Sequence, residues 1–155
     1  MKHFKLINLF AFWLTIGLIS SCSKNESTPV TPASDVRDVA IGSYSGIQTI
    51  TDTSDSTTID TIVFTISKGA GNSLNITEDG VTISTSPVLN VGKDLSGNIP
   101  LQTITADGFS FKIQGAGNNN EHFGFLESAK VFTYDFQVND GPITGYKVTV
   151  FGTRK

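Results

Sequence analysis

The residues that could do chemistry in this chain are few and widely spaced. His122 lies in Asn118-Asn119-Asn120-Glu121-His122-Phe123-Gly124-Phe125, beside one carboxylate, Glu121, that points the opposite way if the segment is extended. A general base needs a nucleophile and an orienting partner within reach, and this spacing supplies neither. A metal ion needs three or more suitable ligands, so one histidine without cysteine falls short. The expectation is a turn or loop histidine. Asp52, Asp55 and Asp60 put three carboxylates in one hydroxyl-rich stretch, but the glycine and terminal glutamate of a calcium loop are missing. That stretch reads as a soluble hairpin connection. Gly115-Ala116-Gly117 is not followed by the helical pattern that would seat a phosphate. No catalytic residue, metal site or cofactor is expected, and the protein is not expected to be an enzyme.

The single cysteine, Cys22, is different because of where it stands. Lys2, His3 and Lys5 make a basic start, Leu6 to Ile19 is mostly apolar, and Ser20 and Ser21 are small. Those three features in that order mark residues 1–21 as a secretory signal segment. The apolar run includes Asn8 and Thr15 and is shorter than the ~20 apolar residues a membrane-spanning helix wants. A lone cysteine bound for an oxidising compartment has no disulfide partner within the chain.

Ile19-Ser20-Ser21-Cys22 resembles the lipobox of bacterial lipoproteins: an aliphatic residue, two small residues, then cysteine. The resemblance implies cleavage before Cys22, a diacylglycerol thioether on its sulfur and an acylated amine. Two or more acyl chains anchor a protein stably, where one binds only marginally. The expected localisation is the bacterial cell envelope, at the outer membrane, with the periplasmic face and the cell surface both open. The membrane, through the acyl chains on Cys22, is the first expected partner.

Residues 22–38 then form the acylated cysteine and a polar linker interrupted by Pro29 and Pro32, too poor in apolar side chains to build a core. The formal charge of the whole chain is −3, and losing Lys2 and Lys5 with the leader makes it more negative. A mildly acidic chain lacks the basic face that nucleic acid requires.

Residues 39–155 read as one β domain. No stretch sustains a 3.6-residue apolar period, whereas period-2 alternation recurs. Ile62, Phe64 and Ile66 share one strand face, and Phe132, Tyr134, Phe136 and Val138 share another. Asp79-Gly80 and Asp107-Gly108 are strong hairpin signals. The expected strands are 44–51, 59–67, 73–77, 81–85, 99–105, 109–114, 131–138 and 146–151. Eight short antiparallel strands in a meander either close into a small barrel or fold over as a β-sandwich, because open edges invite aggregation.

Gly42-Ser43-Tyr44-Ser45-Gly46 favours the barrel. A Gly-x-Tyr-x-Gly opening the first strand resembles the start of calycin-like, lipocalin-type domains of Bacteroidetes lipoproteins. The wider lipocalin family places Trp at the position of Tyr44, packed across the barrel floor beneath a basic residue. From the residues themselves, Gly42 and Gly46 let the strand coil, and Tyr44 plugs one end with its hydroxyl hydrogen-bonded.

An eight-stranded barrel is just wide enough to be filled by side chains or to hold one small ligand. The candidate ligand-binding residues are Tyr44, Phe64, Phe111, Phe132, Tyr134 and Phe136. The expected function is a lipid-anchored envelope protein binding a small apolar or amphipathic molecule. The alternative is a structural or protein-interaction lipoprotein with a packed interior, whose docking patch would be Phe123, Phe125 and Leu126.

Overall fold

Alternating apolar and hydroxyl side chains let a segment present one face to a core and the other to water. In the computed structural model, which describes residues 34–155, these segments are strands. They are β1 (Gly42–Thr51), β2 (Thr57–Lys68), β3 (Leu74–Glu78), β4 (Val81–Ser84), β5 (Leu89–Val91), β6 (Asp94–Gly97), β7 (Gln102–Ala106), β8 (Phe109–Gln114), β9 (Phe123–Leu126), β10 (Val131–Asp140) and β11 (Lys147–Arg154). The eight expected strands correspond to β1 to β4, β7, β8, β10 and β11. The three short strands β5, β6 and β9 are additional, so the count of eight is corrected to eleven.

All eleven strands belong to one antiparallel sheet, strongly curled into a half-barrel. The path runs β4-β3-β2-β1-β11-β10-β9-β6-β5. β10 is long enough to serve two neighbours along one edge. Its Val131–Tyr134 segment pairs with β9, and its Gln137–Asp140 segment pairs with β8, which carries β7. Both Asp-Gly hairpins have positive φ at both turn residues, 45° and 80° at Asp79-Gly80 and 52° and 80° at Asp107-Gly108. That is the twist-matched turn the dipeptide favours.

β4 lies beside β7 without a hydrogen-bond ladder between them. The Gln102 side chain spans this seam, with Oε1 accepting from the Ser84 N–H at 2.9 Å and Nε2 donating to the Ser84 carbonyl at 2.8 Å. A second bridge follows at Ser86, whose N–H donates to the Asn98 carbonyl at 2.8 Å.

One end of the curled sheet is a solid floor. Tyr44 and Phe64 are register partners on β1 and β2, and their rings stack at 5.3 Å and 9°. Phe132 packs edge-on against Phe64 at 6.2 Å, and Phe123 stacks on Phe132 at 5.9 Å. The fully buried Tyr44 donates its hydroxyl to the Ala40 carbonyl at 2.6 Å, which satisfies the one polar atom in the cluster. Room for these rings comes from Gly152 on β11, which faces Gly46 on β1 across a close backbone approach. A Cβ on Gly152 would come within 2.5 Å of the Phe64 ring.

The short 3₁₀ helix Val36–Val39 closes the floor from outside. Arg37 forks onto Asp35 and donates to the carbonyls of Gly69 and Ser73, and Lys68 pairs with Asp35 and Asp38. Arg154 on the last strand lies against Gly42 and donates to the Val39 carbonyl at 3.2 Å.

Phe123 and Phe125 are 3% and 1% exposed, so they belong to the core and not to a docking patch; only Leu126 of that trio faces outward. The physical reason is pairing. β9 lies between β10 and β6, and its alternation turns both phenylalanines inward. Residues 34–155 form a compact unit holding all of these strands and their shared core, and so carry what is needed to fold on their own.

Candidate functional site

Above the floor, toward the end that carries the Asp79-Gly80 and Asp107-Gly108 turns, the inward side chains leave a cavity of about 590 Å³. Ile50 of β1, Ile76 of β3 and Ile83 of β4 line one side. Ile104 of β7, Phe111 and Ile113 of β8, and Tyr134, Phe136 and Val138 of β10 line the other. Each residue is an inward member of an alternating strand, so the lining follows directly from the period-2 pattern.

Two polar side chains share that inward face. In β3 the series Leu74, Ile76, Glu78 places a carboxylate at the third inward step. In β1 the series Tyr44, Gly46, Gln48, Ile50 does the same for an amide. Tyr134 of β10 donates its hydroxyl to Glu78 Oε2 at 3.0 Å, and Gln48 Nε2 lies 3.5 Å from Glu78 Oε1. The Tyr134 ring is buried and stacks on Phe136 at 6.4 Å and 7°.

Burial pushes the half-buried Glu78 carboxyl above the usual carboxylate range. The Tyr134 hydroxyl bond pulls it back in part, and the neighbouring Asp79 charge adds to the rise. The same burial, reinforced by the Glu78 charge and the bond to it, pushes the Tyr134 hydroxyl well up, so this phenol stays protonated and acts as a donor. The site is an apolar cavity with one hydrogen-bonding carboxyl on its wall.

The six aromatic residues expected to contact a ligand divide into two groups. Phe111, Tyr134 and Phe136 line the cavity, whereas Tyr44, Phe64 and Phe132 lie in the floor cluster beneath it, with Phe64 meeting Tyr134 edge-on at 5.4 Å. Glu78 and Gln48 were not anticipated. The signal was present in the two alternating series, where a polar residue continues an apolar face, but the adjoining Asp79-Gly80 makes Glu78 look like part of a solvated turn.

His122 stands in the loop before β9, as expected, and is buried. Its Nδ1 lies 2.8 Å from Asp135 Oδ1, and its Nε2 meets the Asn119 carbonyl oxygen. Asp135 also accepts from the Ala116 N–H at 3.2 Å, so histidine and carboxylate together pin the loop before β9 to β10. Neither His122 nor Asp135 lines the cavity. Cys22 lies outside the described residues.

Among the described residues, no group of three or more His, Cys, Asp or Glu side chains is placed to hold a metal ion. No described helix is long and apolar enough to cross a membrane. Comparison with protein-family models, curated proteins and solved structures gives no match. Geometry and chemistry must therefore carry the functional reading.

Proposed function

We propose that this protein is a lipid-anchored envelope protein of bacterial type whose calycin-like barrel binds a small amphipathic molecule. The observation that carries the reading is the cavity of about 590 Å³, which combines apolar walls with the Glu78–Tyr134 hydrogen-bonding pair. Small-molecule sites are typically ~300–1,000 Å³, mostly apolar, with a few convergent polar groups.

Anchoring by acyl chains on Cys22 rests on the lipobox-like segment and makes the linker 22–38 a spacer between bilayer and barrel. The calycin-like character is supported by Tyr44 at the start of β1, buried on the floor, with Arg154 of the last strand close by at Gly42 and Val39. It is a binding protein in this reading, with no role for catalysis.

The test is nuclear magnetic resonance of residues 34–155 titrated with short-chain amphiphiles. Binding predicts shifts confined to residues such as Ile76, Ile104, Phe111 and Tyr134. Shifts spread over the outer faces, or none at all, would remove the ligand-binding reading.

A second reading, docking to an envelope protein, has its own observation. Ile47 and Phe151 are direct cross-strand partners on β1 and β11, and Val63 of β2 lies diagonally beside Ile47. All three are about half exposed on the outer face. Replacing Phe151 with Ser should leave the cavity intact and abolish any partner capture that depends on this face.

A further inference from the structure

The charged side chains in the cavity wall are all acids, Glu78, Asp79 and Asp107, and no lining residue is Lys, Arg or His. Elsewhere in the described unit some carboxylates have a cation, while others, such as Asp52 and Asp94, accept from backbone N–H groups. Asp35 has Arg37 and Lys68, Asp140 has Lys112 at 2.9 Å, and Glu127 has Lys130 at 2.8 Å. Glu78 is half-buried and meets only neutral donors, the Tyr134 hydroxyl and the Gln48 amide. A carboxylate taken partly out of water is costly unless a charge offsets it. What this wall lacks is a positive group.

We propose that the cavity is selective for a small organic cation, a protonated amine on an apolar body, whose ammonium is held by Glu78 with Asp79 and Asp107 at the rim. The inference rests on the reading of this cavity as a ligand site and specifies the ligand's head group.

Three features fit that head and no other simple one. An ammonium has donors only, and Glu78 is an acceptor whose two oxygens have weak neutral company. An anionic head would meet three carboxylates and no base. A neutral alcohol would add a hydrogen bond but leave the buried charge uncompensated. Tyr134 and Phe136 line the same cavity as the carboxyl, and aromatic rings attract cations within about 6 Å of a ring centre. The aliphatic remainder of the wall, from Ile76, Ile83, Ile104 and Ile113, takes the apolar body. The acidic rim also draws a cation in and repels an anion during approach.

The experiment is calorimetric titration of residues 34–155 with three probes of one chain length: n-octylamine, n-octanol and octanoate. Octylamine is expected to bind about tenfold tighter than octanol, because a charge-assisted hydrogen bond is roughly twice as strong as a neutral one. Octanoate is expected to be the weakest. Glu78→Gln keeps the side-chain shape and removes the charge, so the advantage of octylamine over octanol should disappear. Octanol or octanoate binding as tightly as octylamine would overturn the cation selectivity and leave the cavity reading standing. If none of the three binds, the ligand site itself is lost and the selectivity with it. The three probes are compared on the unaltered protein, so the selectivity is decided whether or not the variant folds.

Discussion

Gln102 stands where a strand pairing is missing: its amide makes two hydrogen bonds to the backbone of Ser84, at 2.9 and 2.8 Å, and so joins β7 to β4. A neutral hydrogen bond contributes ~1 kcal/mol net. Gln102→Ala is therefore expected to lower stability by about 1–2 kcal/mol in urea unfolding. The Ser84 amide should also exchange with solvent faster than in the parent. If its exchange is unaltered, other contacts hold the seam.

Gly46 and Gly152 are required by the floor rings and by the close approach of β1 to β11. A Cβ at Gly46 would sit 1.9 Å from the Phe151 carbonyl oxygen, a backbone atom that cannot swing aside. Gly46→Ala is expected to destabilise by at least ~2 kcal/mol, the upper part of the overpacking range. At Gly124 the nearest atom to a new Cβ is Thr133 Oγ1 at 3.5 Å, an ordinary contact. Gly124→Ala should stay within about 0.5 kcal/mol of the parent, as surface substitutions do. Equal melting temperatures for the two variants would contradict this account.

Removing the Tyr134 hydroxyl takes away the interaction that lowers the Glu78 carboxyl, so Tyr134→Phe should move that carboxyl further above its ordinary value. Carbon-detected titration of the Glu78 side chain reads this directly. The linkage has a definite sign. A carboxyl raised in the fold holds its proton to higher pH than in the unfolded chain, so its contribution to stability is largest below the ordinary glutamate value of 4.5 and is lost as pH rises through the folded value. Tyr134→Phe should extend that loss to higher pH, and Glu78→Gln should remove it.

Asp35 has the opposite sign. Its hydrogen bonds from the Arg37 side chain and backbone, with Lys68 beside it, hold its carboxyl far below the usual aspartate range. Its contribution is complete above the ordinary value of 3.8 and is lost as pH falls from there through the folded value. Asp35→Asn should be less stable than the parent at neutral pH and should show a shallower fall in acid. Parallel acid limbs for the two proteins would mean that the Asp35–Arg37–Lys68 group does not hold the floor closed.

The eight expected strands were legible because most carry inward apolar residues at period 2, and Asp79-Gly80 and Asp107-Gly108 mark two of the hairpins between them. β5, β6 and β9 escaped because they are only three or four residues long and, unlike the equally short β4, have no Asp-Gly turn beside them. Leu89, Asn90 and Val91 of β5 are all exposed, so no alternating burial marks them. Phe123 and Phe125 do alternate, but their inward direction is set by β10 on one side and β6 on the other, long-range partners that local pattern does not name. The buried pairing of His122 with Asp135 is of the same kind: thirteen positions separate them, and only the β9–β10 register brings them within 2.8 Å.

By itself, the sequence determined the all-β class, the positions of the Asp-Gly hairpins, the burial of Tyr44 and the aromatic inner face of β10. These are local consequences of side-chain alternation and of backbone that only certain residues adopt readily. The tertiary structure alone decided which aromatics fill the floor and which line the cavity, and that Glu78 faces Tyr134 within it. The reason is that level along a curled sheet is set by strand register. Tyr44, Phe64 and Glu78 are successive register partners on β1, β2 and β3, whereas Glu78 and Tyr134 meet across the interior between strands that share no backbone ladder.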